Sequence, residues 1–160
     1  MSPAAVRRAG PPDAPALLRL ARGLARSQDD PDDRVTQADL HRAWLDEDAP
    51  GLALIAEDET GAIGYIALMP SFESSHASHG YYVSDLFVLA RARRHGVGTA
   101  LLAAAARAAR ATGRGALWWI AQAGNEDAHR FYCRFISIEE PVRAFAVFGE
   151  ALARLATRPQ

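Results

Sequence analysis

Between Gly80 and Gln122 the apolar period of the chain switches from strand to helix and back to strand, and few folds accommodate that order. Gly80–Leu89 is a strand-length run rich in Tyr, Val, Leu and Phe, and Ala116–Gln122 is a second one. Between them, Arg93-Arg94-His95-Gly96-Val97-Gly98-Thr99 leads into a strong alanine-rich helix from Gly96 to about Thr112, closed by Gly113 and Gly115. A strand, a helix and a second strand in this order make a parallel crossover.

The remaining segments build a sheet around that unit. Ala4–Ala9 reads as a short strand. Leu17, Leu20, Ala21 and Leu24 recur at helical spacing opposite Arg19, Arg22 and Arg26, which predicts a helix over Asp13–Ser27. Thr36 is placed to cap a second helix that ends before Pro50. Gly51–Asp58 and Ala62–Pro70 flank the turn Glu59-Thr60-Gly61 and pair antiparallel. Asn125–Phe135 is helical, Ile136–Glu139 and Val142–Phe148 read as a closing strand pair, and Gly149–Ala156 as a terminal helical turn. The expected fold is therefore α/β: a mixed, mostly antiparallel, twisted sheet of about seven strands flanked by about four helices, with one parallel βαβ crossover.

With 160 residues, 49% of them apolar and 23% charged, the chain has the size and balance of one globular domain over residues 1–160. A net charge of −1 removes the bulk attraction that drives nucleic-acid binding. No apolar run reaches the roughly 20 residues that span a bilayer, and the first ten residues lack the centre of a signal peptide, so the expectation is a cytoplasmic protein without a membrane partner. A single cysteine, Cys133, excludes an internal disulfide and any multi-cysteine zinc site. Every basic residue among the 18 is arginine, so no lysine is available as a base.

The turn at 93–99 carries chemistry. It joins a buried strand to a helix start, where amide N–H groups lack internal partners and the helix dipole favours an anion. Gly96 and Gly98 let a phosphate approach the backbone. The Lys-Ser/Thr ending of a nucleotide-hydrolysing loop is missing, and two glycines make a poor dinucleotide fingerprint, so a phosphate ligand without phosphoryl chemistry fits.

Leu86-Phe87-Val88-Leu89 followed by Arg93-x-x-Gly96-x-Gly98 resembles the signature of the GNAT N-acetyltransferase superfamily. Asn125 and the pair Phe131-Tyr132 repeat the family's Asn and Tyr one strand further on. The resemblance covers about residues 4–148, and the run Tyr82–Val88 looks nearest to the diamine and spermidine/spermine branch. It implies acetyl-coenzyme A as acyl donor, its pyrophosphate on the backbone of Arg93, Arg94, His95, Gly96, Val97, Gly98 and Thr99. Phe87 and Val88 would lie along pantetheine, with the Val88 N–H facing the thioester oxygen and Asn125 holding the arm. Tyr132 would act as acid, or shared hydrogen-bond donor, for the departing thiolate. A homodimer and a small, cationic amine acceptor are likewise implied. Protein or peptide acetylation, and a non-catalytic acyl-coenzyme A-binding module, are the alternatives.

This sequence departs from its relatives in two places. Ser84 stands where they carry a glutamate base, and Asp85 faces the other side of the strand unless a bulge intervenes. The base is thus a water chain on Ser84 or Asp85 itself. The glycine usual after the Phe-Tyr pair is replaced by Phe135-Ile136. Other polar groups carry less: His76 and His79 with Glu73 form a poor metal set, His41, His95 and His129 read as surface or cap residues, and no metal is expected. Asp29, Asp30, Asp32 and Asp33 form either a solvated acidic loop or the rim of the acceptor pocket.

Overall fold

A computed structural model describes residues 4–158, which divide into two compact units at Ile120. The first unit holds one five-stranded sheet in the order β1-β2-β3-β4-β5: β1 Ala5–Arg8, β2 Leu52–Asp58, β3 Gly61–Glu73, β4 Ser78–Val88 and β5 Ala116–Trp118. The first three pairings are antiparallel and β4·β5 is parallel, which is the expected crossover. Its helices are α1 Ala14–Ser27, α2 Gln37–Leu40, which runs on as a π turn over His41–Leu45, and α3 Val97–Ala111.

The helices form because their apolar residues fall on one side. Leu17, Leu20 and Ala21 of α1 and Leu40 of α2 are buried with Ile55, Tyr65, Ala67 and Phe87 in one cluster. Leu101 of α3 lies over Gly64 on the opposite face, where Ile66, Leu68 and Val83 are also buried. Each fully buried aliphatic side chain adds about 1.5–3 kcal/mol before chain entropy is counted. The Thr36 cap is real: its hydroxyl accepts from the Asp39 N–H at 3.3 Å while the Asp39 carboxylate accepts from the Thr36 N–H at 3.0 Å. Arg91 binds Asp58 at 2.8 Å, tying the turn after β4 to the β2–β3 hairpin. Hydrogen bonds from Arg91 and Thr60 hold the Asp58 carboxyl down at about 2.

The sheet has five strands among the described residues rather than seven. The second unit, from Ala121, contains α4 Glu126–Tyr132 and α5 Gly149–Ala156, and its described residues form no strand. Ile136–Glu139 and Val142–Phe148 alternate as strands do, but Pro141 separates them and no ladder forms, and an extended segment without a partner gains no hydrogen bonds from being extended. Ala116–Gln122 likewise shortens to three residues, because β5 pairs only with Gly80, Tyr81 and Tyr82. No helix among the described residues is long and apolar enough to cross a membrane.

Gly80 makes the β4·β5 contact possible. A Cβ there would lie 2.6 Å from the Ala116 carbonyl oxygen. Gly80→Ala is therefore expected to force β5 away and lower stability by about 1–3 kcal/mol, read as a drop in the urea midpoint with little change in slope.

Candidate active site

Three features of β4 and its flanks build the site. The first is a bulge. Ala67 of β3 pairs with Asp85 and Leu68 with Val83, so Ser84 is an extra residue with no partner across the ladder. Val83 and Asp85 would share a face in a regular strand. The insertion sends them to opposite faces, and Asp85 joins Tyr65 on the side covered by α1 and α2. The Tyr65 O–H donates to Asp85 Oδ2 at 2.7 Å. Burial pushes the Asp85 carboxyl above its ordinary value, and the Tyr65 hydrogen bond opposes that shift only in part. Burial and the neighbouring carboxylate together keep the Tyr65 phenol protonated. Ser84 itself is exposed, its hydroxyl 3.4 Å from the Ala67 carbonyl.

The second feature is a cavity of about 210 Å³ with Asp85 and Tyr65 in its wall. Trp44, Leu24 and Val35 line it too, and Asp30 and Arg34 come from the loop between α1 and α2. The acidic loop thus contributes Asp30 to a pocket, while Asp32 is drawn to Arg26.

The third is the edge of β4 after Tyr82. Leu89 donates to the Ile63 carbonyl at 2.9 Å, and by the alternation of an antiparallel ladder the N–H and C=O of Leu86 and Val88 point away from β3. That edge is open, because β5 has already parted from β4. The Arg93 Nε–H donates to the Val88 carbonyl at 3.0 Å, which leaves the Val88 N–H as that residue's free pairing group. Phe87, between them, turns its backbone to β3 and its ring into the core against Gly23.

Beyond the edge, the turn into α3 is shaped for an anion. Arg94 has φ 64° and Gly96 has φ 81°, left-handed conformations that curl the chain ahead of α3. The N–H groups of Arg94, His95, Gly96, Val97, Gly98 and Thr99 meet no acceptor among the described residues, and the first helical bond runs from Ala100 to the Gly96 carbonyl. A Cβ at Gly96 would meet open space, so a ligand can reach the backbone there. The His95 ring is turned back on the Arg93 carbonyl at 2.7 Å. These observations fit the pyrophosphate and pantetheine arm of coenzyme A.

Asn125 and Tyr132 lie in the second unit. The Asn125 side-chain oxygen caps α4 by accepting from the Ala128 N–H at 3.0 Å, which leaves its amide NH₂ as the available donor. Burial pushes the Tyr132 phenol up. His76 pairs with Glu73 at 2.7 Å, and the His79 ring packs on Phe72. Sequence reasoning missed Tyr65 and Trp44. Neither belongs to a motif, and only the register of β3 against the bulged β4 brings Tyr65 to Asp85.

The family model described as the acetyltransferase (GNAT) family matches residues 17–135. An L-ornithine N5-acetyltransferase of Arabidopsis thaliana is 36% identical over 69 residues, 43% of this chain. The match spans only 30% of that relative's length. Among solved structures, an integron cassette protein from the mobile metagenome of V. cholerae superposes with TM-score 0.79 at 22% identity, covering 99% of this chain and all of that one. An aminoglycoside acetyltransferase from an uncultured soil metagenomic sample gives TM-score 0.77 at 22% identity, covering 93% of this chain and 100% of that one. A second one, solved with sisomicin, gives 0.78 at 18% identity, covering 91% and 95%.

The raised Asp85 carboxyl has a consequence for stability. The fold holds the Asp85 proton to higher pH than the unfolded chain, whose carboxyl titrates near 3.8, so this residue's contribution falls as pH rises from 3.8 through the folded value and stays low above it. Asp85→Asn removes that loss. Denaturation curves from pH 3 to 7 are expected to show the variant gaining on the parent as pH rises, whereas parallel curves would mean that Asp85 ionises as freely folded as unfolded.

Proposed function

Because the chain belongs to the acetyltransferase (GNAT) family, we propose that residues 1–160 form one catalytic domain that moves an acetyl group from acetyl-coenzyme A to the primary amine of a small, cationic acceptor, by direct attack with both substrates bound. Acetyl-coenzyme A supplies the acyl group already activated as a thioester. The residues of this chain do the rest. The amides of 94–99 receive the pyrophosphate, and the outward Leu86 backbone groups and the Val88 N–H line the pantetheine arm as a missing strand would. The Val88 N–H is the donor toward the thioester oxygen, an interaction that contributes about 3–4 kcal/mol in comparable acyl-transfer sites.

Asp85 is the base in this reading, in place of a water chain on Ser84. An alkylammonium near pKa 10 gives up its proton reluctantly at neutral pH, and a carboxylate raised by burial is a stronger acceptor than an ordinary one. Tyr132, its phenol raised by burial, serves the departing sulfur as a hydrogen-bond donor rather than by full proton transfer. Asn125 offers its amide NH₂ to the cofactor arm. The observation that carries the reading is the pocket wall formed by Asp85 only three residues before the open edge at Val88.

The size and charge of the pocket support a short acceptor. At about 210 Å³ it lies below the roughly 300–1,000 Å³ of sites for drug-sized ligands. Asp30 suits a second ammonium, and Arg34 suits a carboxylate. A diamino acid, the substrate type named for the ornithine relative, meets both. A homodimer accords with Phe145 and Phe148, 90% and 80% exposed, since water is a poor partner for such side chains.

The test is thiol release from acetyl-coenzyme A against a panel of diamines, diamino acids and aminoglycosides. Diamino acids should be the best acceptors, and Arg34→Ala should raise their KM about tenfold while leaving that of a plain diamine unchanged; equal effects on both would remove Arg34 from recognition. Gly98→Glu sets a carboxylate among the amides of the turn and is expected to abolish coenzyme A binding in calorimetry. Unaltered affinity would place the cofactor elsewhere.

A further inference from the structure

The second unit brings three different metal-ligand atoms to one point. His129 Nε2 lies 2.9 Å from Glu139 Oε1 and 3.4 Å from Cys133 Sγ, and the ligand atoms of all three residues lie within 4.8 Å of one another. His129 in α4 and Cys133, the helical residue that caps its C-terminal end, are four apart and so face the same way, while Glu139 returns to them from the strandless segment beyond. All three side chains are exposed.

The arrangement differs from a catalytic Cys–His–Glu triad in one decisive respect. In a triad the carboxylate accepts a hydrogen bond from one ring N–H and leaves the other nitrogen facing the thiol. Here the acid and the thiol address the same nitrogen. A neutral imidazole nitrogen carries either one proton or one lone pair, so it satisfies one neighbour and leaves the other. A single dication satisfies all three at once, taking the imidazole lone pair, the thiolate and the carboxylate. Zinc–nitrogen and zinc–sulfur bonds of about 2.0 and 2.3 Å at tetrahedral angles put N and S about 3.5 Å apart and N and O about 3.3 Å apart. The 3.4 Å sulfur separation already matches, and the 2.9 Å carboxylate separation opens to it by rotating an exposed glutamate.

We propose that His129, Cys133 and Glu139 bind one zinc ion, with water in the fourth position. Thiolate with imidazole selects zinc over magnesium or calcium, and binding releases the thiol proton. The ion would clamp the end of α4, next to Tyr132, to a segment that has no ladder of its own to hold it.

Because Cys133 is the sole cysteine, a thiolate-to-metal band reports this site alone. The full chain, stripped by chelator, is titrated with Co²⁺ and then with Zn²⁺. The expected result is a near-ultraviolet thiolate–cobalt charge-transfer band that saturates at one equivalent and disappears as zinc displaces cobalt. Cys133→Ser abolishes the band, and His129→Ala and Glu139→Gln each weaken affinity about tenfold or more. The absence of a thiolate band in the parent overturns the proposal, as does parental affinity in both His129→Ala and Glu139→Gln. Because the readout is metal binding, it is independent of whether acetyl transfer occurs.

Discussion

The first unit depends on how β4 leaves its neighbours. Along one edge it stays hydrogen-bonded to β3 for its whole length, and along the other it loses β5 after Tyr82. A strand held on one side and bare on the other presents unpaired backbone groups, which proteins normally cover or blunt. Here they lie between a cavity containing a carboxylate and a turn of unpartnered amides, so one ligand long enough to span edge and turn would meet a pairing group at each step.

The bulge at Ser84 is the second constraint, and it acts through parity. One inserted residue exchanges the faces of everything after it on the strand. Without it, Asp85 would lie among the aliphatic side chains under α3, a burial with no Tyr65 to bond it. With it, the carboxylate has a phenol partner at 2.7 Å and a cavity in front. The carboxylate remains costly to ionise, and that cost is what makes it a better proton acceptor than a solvated aspartate.

The second unit follows different physics. Its described residues contain two short helices and no sheet, and Phe145 and Phe148 lie in water. A segment of this kind is held by whatever crosslinks it finds. The convergence of His129, Cys133 and Glu139 is one, and the helical spacing of four residues from α4 to its C-cap is what aligns its first two members.

How much of this was legible beforehand depended on range. Periodicity, caps and glycines act within a few residues, so the helices, the Thr36 cap, the β2–β3 hairpin, the parallel crossover and the amide-rich turn were all readable from the chain. That a ligand can approach the backbone at Gly96 followed from the missing side chain, whereas the positive φ of Gly96 and Arg94 did not. The side that Asp85 faces, its union with Tyr65, and the entry of Asp30 and Arg34 into one cavity were not readable, because they depend on the register between strands about twenty residues apart and on one unpaired residue in that register. The two strands expected after Ile136 failed for the same reason: alternation makes a segment able to pair, and only tertiary structure decides whether a partner is there. Local propensity thus determined which elements form and where an anion is welcome, while long-range pairing determined which side chains meet to do chemistry.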